Sequence, residues 1–180
     1  MASRLIKEKG IIEYIDAARY IKKKYPFVSF LHAGSNNKEL DLKESYINDY
    51  FFSAVNDNII DNLEWLDDIK LALKRCSVFV LPSYYGEGLP RTSLEAMSCG
   101  RLIITTDSVG CRETVEEGIN GFCIPIKDSK ALIQKFEYLI NNPNKIIDMG
   151  KKSREIIEKK FDVRIVNNQI ISSIKKITFS

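Results

Sequence analysis

The apolar run Val78–Leu81, with the segments that follow it, limits the fold of this chain more than any other feature. A near-continuous apolar run of this length is typical of a strand buried on both faces of a parallel sheet. A loop over Pro82–Pro90 follows, and then a helical pattern from about Arg91 to Cys99. Pro90 suits the first helical position, and Gly100 suits the residue just past a helix end. The sequence therefore predicts a strand, a glycine-containing loop and a helix in direct succession.

Apolar runs alternate with longer amphipathic segments along the rest of the chain. The predicted strands are Val28–Ala33, Leu102–Thr105 and Gly121–Pro125, with a short extended piece at Ser3–Ile6 and a weak strand candidate at Asn58–Trp65. The predicted helices are Ile11–Tyr25, a short helix capped by Asp67 and Asp68 that ends at Arg75, and most of the chain from Lys130 onward, whereas the helical pattern of Lys38–Ser53 is weak. This alternation predicts an α/β fold: a Rossmann-like, three-layer domain with a parallel β-sheet flanked by helices.

Length, charge and cysteine usage exclude several classes of protein. The 180 residues suffice for one domain with a real core, and the net charge of +3 is too small to predict a nucleic-acid partner. No apolar run approaches the roughly 18 residues that span a membrane, and the N-terminus has no apolar signal region. The 4 cysteines form no C-x-x-C pair, so we expect free thiols in a reducing cytoplasm and no Cys/His zinc site. The single histidine, His32, ends an apolar run, which favours a packed strand-end residue over a catalytic base.

A ligand is expected to bind at the loop that follows Val78–Leu81. Ligands of open α/β sheets lie beyond the carboxyl ends of the strands, and the unpaired N–H groups of a helix start suit phosphate. Gly86 and Gly88 permit close approach of a ligand because they carry no Cβ, although a plain turn would also use glycines. Glu87 lies between them, and Glu95 lies on a partly apolar helix face, so both carboxylates suit sugar hydroxyls. Two ordinary surface glutamates are the simpler alternative.

Several ordered blocks of the sequence resemble one enzyme family. The stretch Leu81–Gly100 resembles the E-x7-E motif of retaining glycosyltransferases of the GT-B fold, family four, of the bacterial polysaccharide and glycan-assembly type. Ile103–Asp107, Gly110–Glu113 and Glu117–Phe122 resemble the strand, the G-x-x-E turn and the D-G-x-N-G turn of that family, with Glu117 where aspartate is usual. The resemblance covers nearly the whole chain.

The resemblance implies a role for each matched residue. Arg4 and Lys9 fit the R-L-x-x-x-K-G opening of the family's donor-binding domain and would neutralise the diphosphate. Glu87 would hold hydroxyls of the donor hexose, and Glu95 the two ribose hydroxyls. Backbone N–H groups at the helix start would meet phosphate or sugar oxygens, and no metal or cofactor is implied, because the cations and the helix end stabilise the departing diphosphate. The implied donor-binding residues are Arg4, Lys9, Glu87, Gly88, Leu89 and Glu95, of which Arg4, Lys9 and Glu87 form the implied catalytic set.

The resemblance also implies a domain assignment and a reaction. Residues 1–180 would form the nucleotide-sugar (donor) binding, C-terminal lobe of a two-lobe enzyme whose N-terminal acceptor domain is absent. That enzyme would transfer a hexosyl group from a nucleotide-diphosphate sugar to a hydroxyl of a glycan or lipid-linked acceptor, with retention of configuration. Tyr84-Tyr85 and Pro90-Arg91 are similar to the branch that uses UDP-sugars. The isolated chain is expected to be inactive or weakly active.

One segment departs from the family pattern. Leu63–Leu66 stands where members carry F-x-G near the nucleotide base, so the base is the least constrained part of the donor.

The sequence leaves two alternative functions and the cellular location of the protein to be considered. A non-catalytic nucleotide-sugar binding or interaction module fits a chain that carries half of an enzyme. A nicotinamide-dependent Rossmann oxidoreductase is disfavoured because Leu5–Gly10 contains no G-x-G-x-x-G. The expected location is cytoplasmic. Peripheral membrane association is open, since Lys151-Lys152 and Lys159-Lys160 suit anionic lipid, but a solvated helix face is the simpler explanation.

Overall fold

The computed structural model describes residues 1–34, 45–86 and 88–178, which form an α/β fold. The strands are β1 Leu31–His32, β2 Asp61–Asn62, β3 Val78–Leu81, β4 Leu102–Thr106 and β5 Gly121–Ile124. The helices are α1 Ile11–Lys24, α2 Ser45–Asn56, α3 Lys70–Arg75, α4 Arg91–Ser98, α5 Ser129–Asn141, α6 Pro143–Lys160 and α7 Val163–Thr178, with 3₁₀ turns at Lys7–Lys9 and Arg112–Thr114. Strands and helices alternate as predicted, and the α/β fold class is confirmed.

The strands of the described residues pair in parallel but form two ladders. β1 pairs with β2, with Leu31 opposite Asp61. β3, β4 and β5 form the second ladder in that order, with Val78 opposite Leu102. The strand direction was therefore predicted correctly, whereas the division into a two-stranded and a three-stranded ladder was not foreseen.

Helices flank both ladders and supply much of the core. α1 packs against α2 and α5, and Ile11, Ile15 and Ile21 on one face of α1 are inaccessible to solvent. α4 packs against α6, where Gly150 crosses Gly100 closely. A Cβ on Gly150 would lie 2.3 Å from the carbonyl oxygen of Gly100, so this contact admits only glycine at position 150.

The N-terminal residues run alongside β1. Ala2 bridges Ala33 in parallel orientation, and the N–H of Ser3 donates to the carbonyl of Ala33 at 3.0 Å. The extended piece predicted over Ser3–Ile6 is therefore paired only at its first residue. It leads through the 3₁₀ turn into α1 and places the loop around Arg4 beyond the carboxyl end of β1.

Two strands are shorter than predicted because nearby backbone groups are used elsewhere. The strand predicted over Val28–Ala33 is confined to β1, since the N–H of Val28 bonds to the carbonyl of Tyr25 in a turn. The strand predicted over Asn58–Trp65 is confined to β2, since the N–H groups of residues 59 and 60 both bond to the carbonyl of Ala54 at the end of α2.

α4 begins at Arg91 as predicted, whereas the place of Pro90 and the start of α3 differ from the prediction. Pro90 is the residue before α4, with extended backbone (φ −65°, ψ 115°), and not its first residue. The ring fixes the same φ at either position, so sequence does not separate them. α3 begins at Lys70, whose N–H bonds to Oδ1 of Asp68 at 2.9 Å. α2 covers the second half of Lys38–Ser53, and the first half of that prediction falls mostly outside the described residues.

Candidate functional site

Loops from several segments meet at the carboxyl edge of the second ladder. The carbonyl of Ser83, just past β3, accepts hydrogen bonds from the hydroxyls of Thr106 and Ser108, the latter at 2.9 Å. The carbonyl of Glu8 accepts the N–H of Tyr84 at 2.8 Å and the hydroxyl of Ser83 at 3.2 Å. The loop after β3 is thus fixed on one side by the N-terminal segment and on the other by β4.

The N-terminal segment comes closest to that loop at Gly10. Gly10 has a φ of +75°, in the left-handed region that glycine adopts readily. A Cβ there would lie 2.1 Å from the carbonyl oxygen of Pro82. The close crossing brings Lys9 to the same edge, where it is nearly buried and its Nζ lies 4.9 Å from the centroid of the Tyr85 ring. This distance corresponds to a cation–π contact.

The residues before α4 leave open space. No heavy atom of a described residue, other than the immediate chain neighbours, lies within 4 Å of where a Cβ on Gly86 or Gly88 would stand. Packing against the described residues therefore does not require these glycines. Gly88 and Leu89 are exposed just ahead of α4. The first turn of a helix carries N–H groups without partners in the helix and a partial positive charge. The arrangement suits an anion that approaches the backbone closely.

A cleft of about 410 Å³ beside α4 contains two of the predicted site residues. Arg4 and Glu95 both line it, together with Trp65 and Gly34. Oε1 of Glu95 lies 3.0 Å from Nε of Arg91, and the Glu95 side chain is 31% exposed. A cation and a half-buried carboxylate therefore share one opening at the edge where the strands end.

Trp65 also lines this cleft and is not among the site residues predicted from the sequence. It is 69% exposed, and its indole N–H donates to Oδ1 of Asp67 at 3.3 Å. A large aromatic face open to a cleft suits stacking against a planar ligand group. One signal was available: Trp65 is the only tryptophan in the sequence, and it lies in Leu63–Leu66, the segment that departs from the family pattern.

The structure distributes the predicted donor-binding residues over two neighbouring places. Arg4 and Glu95 share the cleft, whereas Lys9 lies against the loop after β3. Glu87 lies outside the described residues, so its contact with the donor hexose stays a prediction.

A second cation, Lys127, lies against the loop after β3, and a half-buried carboxylate, Glu13, interacts with its charge. Nζ of Lys127 lies 4.9 Å from the centroid of the Tyr84 ring. Oε2 of Glu13, in the first turn of α1, is buried without a hydrogen-bonding partner among the described residues. Burial raises the pKa of Glu13, and the positive charges of Lys127 and Lys7 oppose that shift. Lys127 follows β5 closely in the sequence, which is the signal that would have pointed to it.

His32 is a core residue and is not placed to act as a base. It is inaccessible to solvent, and its ring lies edge-on to Phe51 with centroids 4.8 Å apart. Burial, together with the charge of the N-terminal amine, lowers the pKa of His32 to about 3, so the ring is neutral at pH 7. Neither ring nitrogen makes a well-formed hydrogen bond with a described residue, although Asn62 and the backbone of Ser3 lie near it. The prediction of a packed strand-end residue agrees with this position.

The turn before β5, which resembles a family motif, has a structural role. The buried Asn120 side chain donates to the carbonyl of Thr114 at 3.0 Å and accepts the N–H of Glu116 at 2.7 Å. Oε2 of Glu117 accepts the N–H of Cys123 at 2.7 Å. These bonds fix the turn to β5 and do not reach the cleft.

The described part of the chain contains neither a cluster of metal ligands nor a membrane-spanning helix. It contains no group of three or more His, Cys, Asp or Glu side chains placed to hold a metal ion. None of its helices combines the length and apolar character needed to cross a bilayer. All four cysteines are free thiols.

An α/β domain with a cleft beyond the carboxyl ends of parallel strands is typical of the doubly wound class, whose ligands bind at that edge. The chain belongs to the family described as glycosyl transferases group 1, whose family model matches residues 1–156. The resemblance to glycosyltransferases of the GT-B fold is thereby confirmed, while the E-x7-E assignment itself stays a prediction.

Individual relatives agree with this family. CapM of Staphylococcus aureus, a capsular polysaccharide biosynthesis glycosyltransferase, is 33% identical over 169 residues, which cover 94% of this chain and 43% of CapM. The structure of HepE from Anabaena in complex with UDP superposes with a TM-score of 0.85 at 25% identity, over 97% of this chain and 47% of HepE. HepE with UDP-glucose gives a TM-score of 0.82 at 25% identity, over 97% of this chain and 47% of that one.

One solved structure is an isolated domain, and this chain matches most of its length. The C-terminal domain of a glycosyl transferase group 1 protein, LpcC from Francisella tularensis, has a TM-score of 0.76 at 24% identity, over 91% of this chain and 84% of that domain. This likeness concerns the fold. The chain thus spans less than half of CapM and of HepE but most of an isolated domain.

Proposed function

We propose that the chain is the donor-binding lobe of a retaining glycosyltransferase that takes a UDP-linked sugar and transfers its hexosyl group to a hydroxyl of a glycan or lipid-linked acceptor. The observation that carries this proposal is that Arg4 and Glu95 line one cleft beside the first turn of α4. A cation, a carboxylate and a helix start are the groups that suit the phosphates and ribose of a nucleotide diphosphate.

Each part of the nucleotide finds a suitable group at the cleft. The exposed face of Trp65 suits the base, because stacking on an aromatic ring is available to every base. Glu95 is placed to accept hydrogen bonds from ribose hydroxyls, and Arg4 to pair with the diphosphate. The three side chains line the same opening, so one ligand can contact all of them.

The reaction needs negative charge to be stabilised as the nucleotide diphosphate leaves. Arg4, Lys9 and the start of α4 supply positive potential from fixed positions, which is the favourable arrangement for such stabilisation. The contact of Gly10 with Pro82 helps to fix those positions. Glu87 would accept hydrogen bonds from the hexose and orient it; it is not proposed as a nucleophile.

The relatives support the donor and acceptor classes. HepE has been solved with UDP and with UDP-glucose, which supports a UDP-sugar as the donor here. CapM belongs to capsular polysaccharide biosynthesis, which supports a glycan acceptor. The chain spans 43% of CapM, so we assign acceptor binding to a further, N-terminal lobe of the whole protein. A cytoplasmic location at a membrane carrying lipid-linked acceptors is part of the same proposal.

Titration calorimetry of the chain with UDP, UDP-glucose, GDP and NAD tests the donor assignment. Glu95→Gln and Arg4→Gln should each weaken UDP binding by roughly tenfold, the equivalent of one charge-assisted hydrogen bond. Glu155→Gln and Lys152→Gln are matched controls, because this exposed ion pair lies on α6 away from the cleft. Unchanged UDP affinity in both cleft variants, or tighter binding of NAD than of UDP, would contradict the assignment.

A non-catalytic nucleotide-sugar module is the second candidate, because the chain spans less than half of CapM. Only the glycosyltransferase would turn over a nucleotide sugar; the non-catalytic module would bind it without reaction. Release of UDP from UDP-glucose in the presence of a purified glycan acceptor, lost in Arg4→Gln, would exclude the non-catalytic module.

A further inference from the structure

The described residues form a basic pocket of about 510 Å³ at the amino edge of the second ladder. Its charged lining residues are the cations Arg101, Lys151 and Arg154, and Ser77 lies beside them. No described carboxylate lines it. Ser77 and Arg101 directly precede β3 and β4, which run in parallel. The basic pocket therefore lies at the opposite end of these strands from the loop after β3.

The position of α6 brings two of the cations to the pocket. Lys151 and Arg154 are three residues apart, so they share one face of the helix. The same helix crosses the turn before β4 at Gly150, where a Cβ would lie 2.3 Å from the carbonyl oxygen of Gly100. This close crossing fixes the cations of α6 beside Arg101.

Arg154 is held by partners within the protein. Its Nη1 donates to the carbonyl of Ser98 at the end of α4, at 2.5 Å, and its Nε donates to Oε1 of Glu158 at 2.6 Å. Cations often bond to the last carbonyls of a helix, so Arg154 by itself does not require a ligand. The two bonds fix its guanidinium at the wall of the pocket.

Arg101 differs from Arg154, because part of its guanidinium is buried without a partner. Nε of Arg101 has no hydrogen-bonding partner among the described residues. Burial raises the pKa of the Cys76 thiol, and the positive charge of Arg101 opposes that shift, so the guanidinium lies near this thiol. A buried N–H of a charged group is costly when it is unpaired. An acceptor supplied by a ligand would remove that cost.

Lys151 contributes an exposed charge that the neighbouring ion pairs of α6 do not neutralise. Those pairs join Lys152 to Glu155 and Arg154 to Glu158, and neither uses Lys151. Like charges around one opening repel each other. A ligand that carries negative charge would relieve this repulsion.

We propose that the basic pocket binds a phosphate group, carried either by a small soluble compound or by the headgroup of an anionic lipid. Phosphate oxygens suit the planar guanidinium of Arg101, which can bind two of them at once, and the compact charge of Lys151. The hydroxyl of Ser77 is a further donor at the same opening. The pocket shares no residue with the cleft that Arg4 lines, so this inference does not depend on the proposed donor site.

Cys99 provides a readout of occupancy. This half-buried free thiol lines the pocket, whereas Cys123, also half-buried and free, lies on β5 outside it. Alkylation of both thiols by N-ethylmaleimide, resolved by mass spectrometry, is followed as inorganic phosphate replaces chloride at constant ionic strength. At a phosphate concentration about ten times its dissociation constant, alkylation of Cys99 should slow roughly tenfold, and that of Cys123 should not change.

Two neighbouring lysines of α6 separate a defined site from general attraction by charge. Lys151→Gln should raise the dissociation constant of phosphate roughly threefold, and Arg101→Gln roughly tenfold. Lys152→Gln removes the same charge one position along, outside the pocket, and should leave the constant unchanged. An equal loss in Lys152→Gln, or equal protection of Cys123, would overturn the proposal. A loss in Arg4→Gln would do the same, because it would place the anion in the other cleft.

Vesicles distinguish the two carriers of the phosphate group. Phosphatidylcholine vesicles that contain phosphatidic acid are compared with inorganic phosphate at equal phosphate concentration, with pure phosphatidylcholine vesicles as the control. Stronger protection of Cys99 by the phosphatidic acid vesicles would assign the pocket to a lipid headgroup, and stronger protection by inorganic phosphate would assign it to a soluble compound. Protection of Cys99 by neither would overturn the proposal.

Discussion

Nε of Arg91 lies 3.0 Å from Oε1 of Glu95, one turn further along α4. The carboxylate assigned to the ribose is therefore already paired in the free lobe. Arg91 is 92% exposed, and an exposed pair of this kind contributes little free energy. A nucleotide can thus share or replace the Arg91 contact at small cost.

This pairing leads to a prediction about Arg91. Arg91→Ala should change the dissociation constant of UDP by less than about threefold, whereas Glu95→Gln should raise it roughly tenfold. Calorimetric titration of both variants is the measurement. A loss in Arg91→Ala as large as that in Glu95→Gln would mean that Arg91 itself contacts the nucleotide.

Trp65 provides an optical test of the base position. It is the only tryptophan in the chain, so an intrinsic fluorescence change at the indole reports this site alone. UDP should alter the emission and pyrophosphate, which has no base, should not. Trp65→Ala should weaken UDP binding by about tenfold, within the range for one base–aromatic stack, and leave pyrophosphate binding unchanged. Equal effects of UDP and pyrophosphate on the emission would place the base elsewhere.

Gly10 and Gly118 form a matched pair for a stability test. Both have positive φ, +75° and +74°, but a Cβ would clash with Pro82 at Gly10, whereas at Gly118 it would meet no described residue within 4 Å. Gly118→Ala should cost about 1 kcal/mol, from backbone strain alone. Gly10→Ala should cost about 3 kcal/mol or more, since the clash adds to the strain. Urea unfolding of both variants measures the difference, and similar costs would mean that the loop moves aside freely.

His32 should make stability depend on pH. Its pKa is depressed from 6.5 to about 3 in the folded state, so the unfolded state binds the proton more readily. The contribution is therefore fully present above pH 6.5 and is lost as the pH falls. Between pH 7.5 and 5.0 the wild type should lose about 2 kcal/mol more unfolding free energy than His32→Leu. Urea unfolding at the two pH values gives this difference, and parallel losses in both proteins would show that His32 is solvated or paired.

The unit of β3, loop and α4 was predictable because its signals are local. The apolar run Val78–Leu81, the proline before the helix and Gly100 after it each act on their own backbone. Pro90 was placed one residue too far into the helix, since a fixed φ suits both positions. Glu95 was selected from its place on a partly apolar helix face, and Arg4 through a family resemblance. Their common cleft became visible only with the fold.

Other features depend on how distant segments dock. Trp65 faces the cleft because the segment after β2 lies beside α4, and nothing in the local pattern encodes that contact. The division into two ladders likewise depends on which backbone groups find partners. The amide groups of residues 59 and 60 bond to Ala54 and so shorten β2, which a strand pattern does not reveal.

The crossing of Gly10 over Pro82 has a consequence for motion. Backbone meets backbone there with no side chain between them, and the carbonyl of Glu8 holds the next two residues of the loop after β3. The N-terminal turn and the β3 loop therefore have no flexible side chains between them that would let one backbone slide past the other. Any hinge that serves ligand entry has to lie outside this crossing, and the N-terminal turn and the base of the β3 loop should travel as one rigid body.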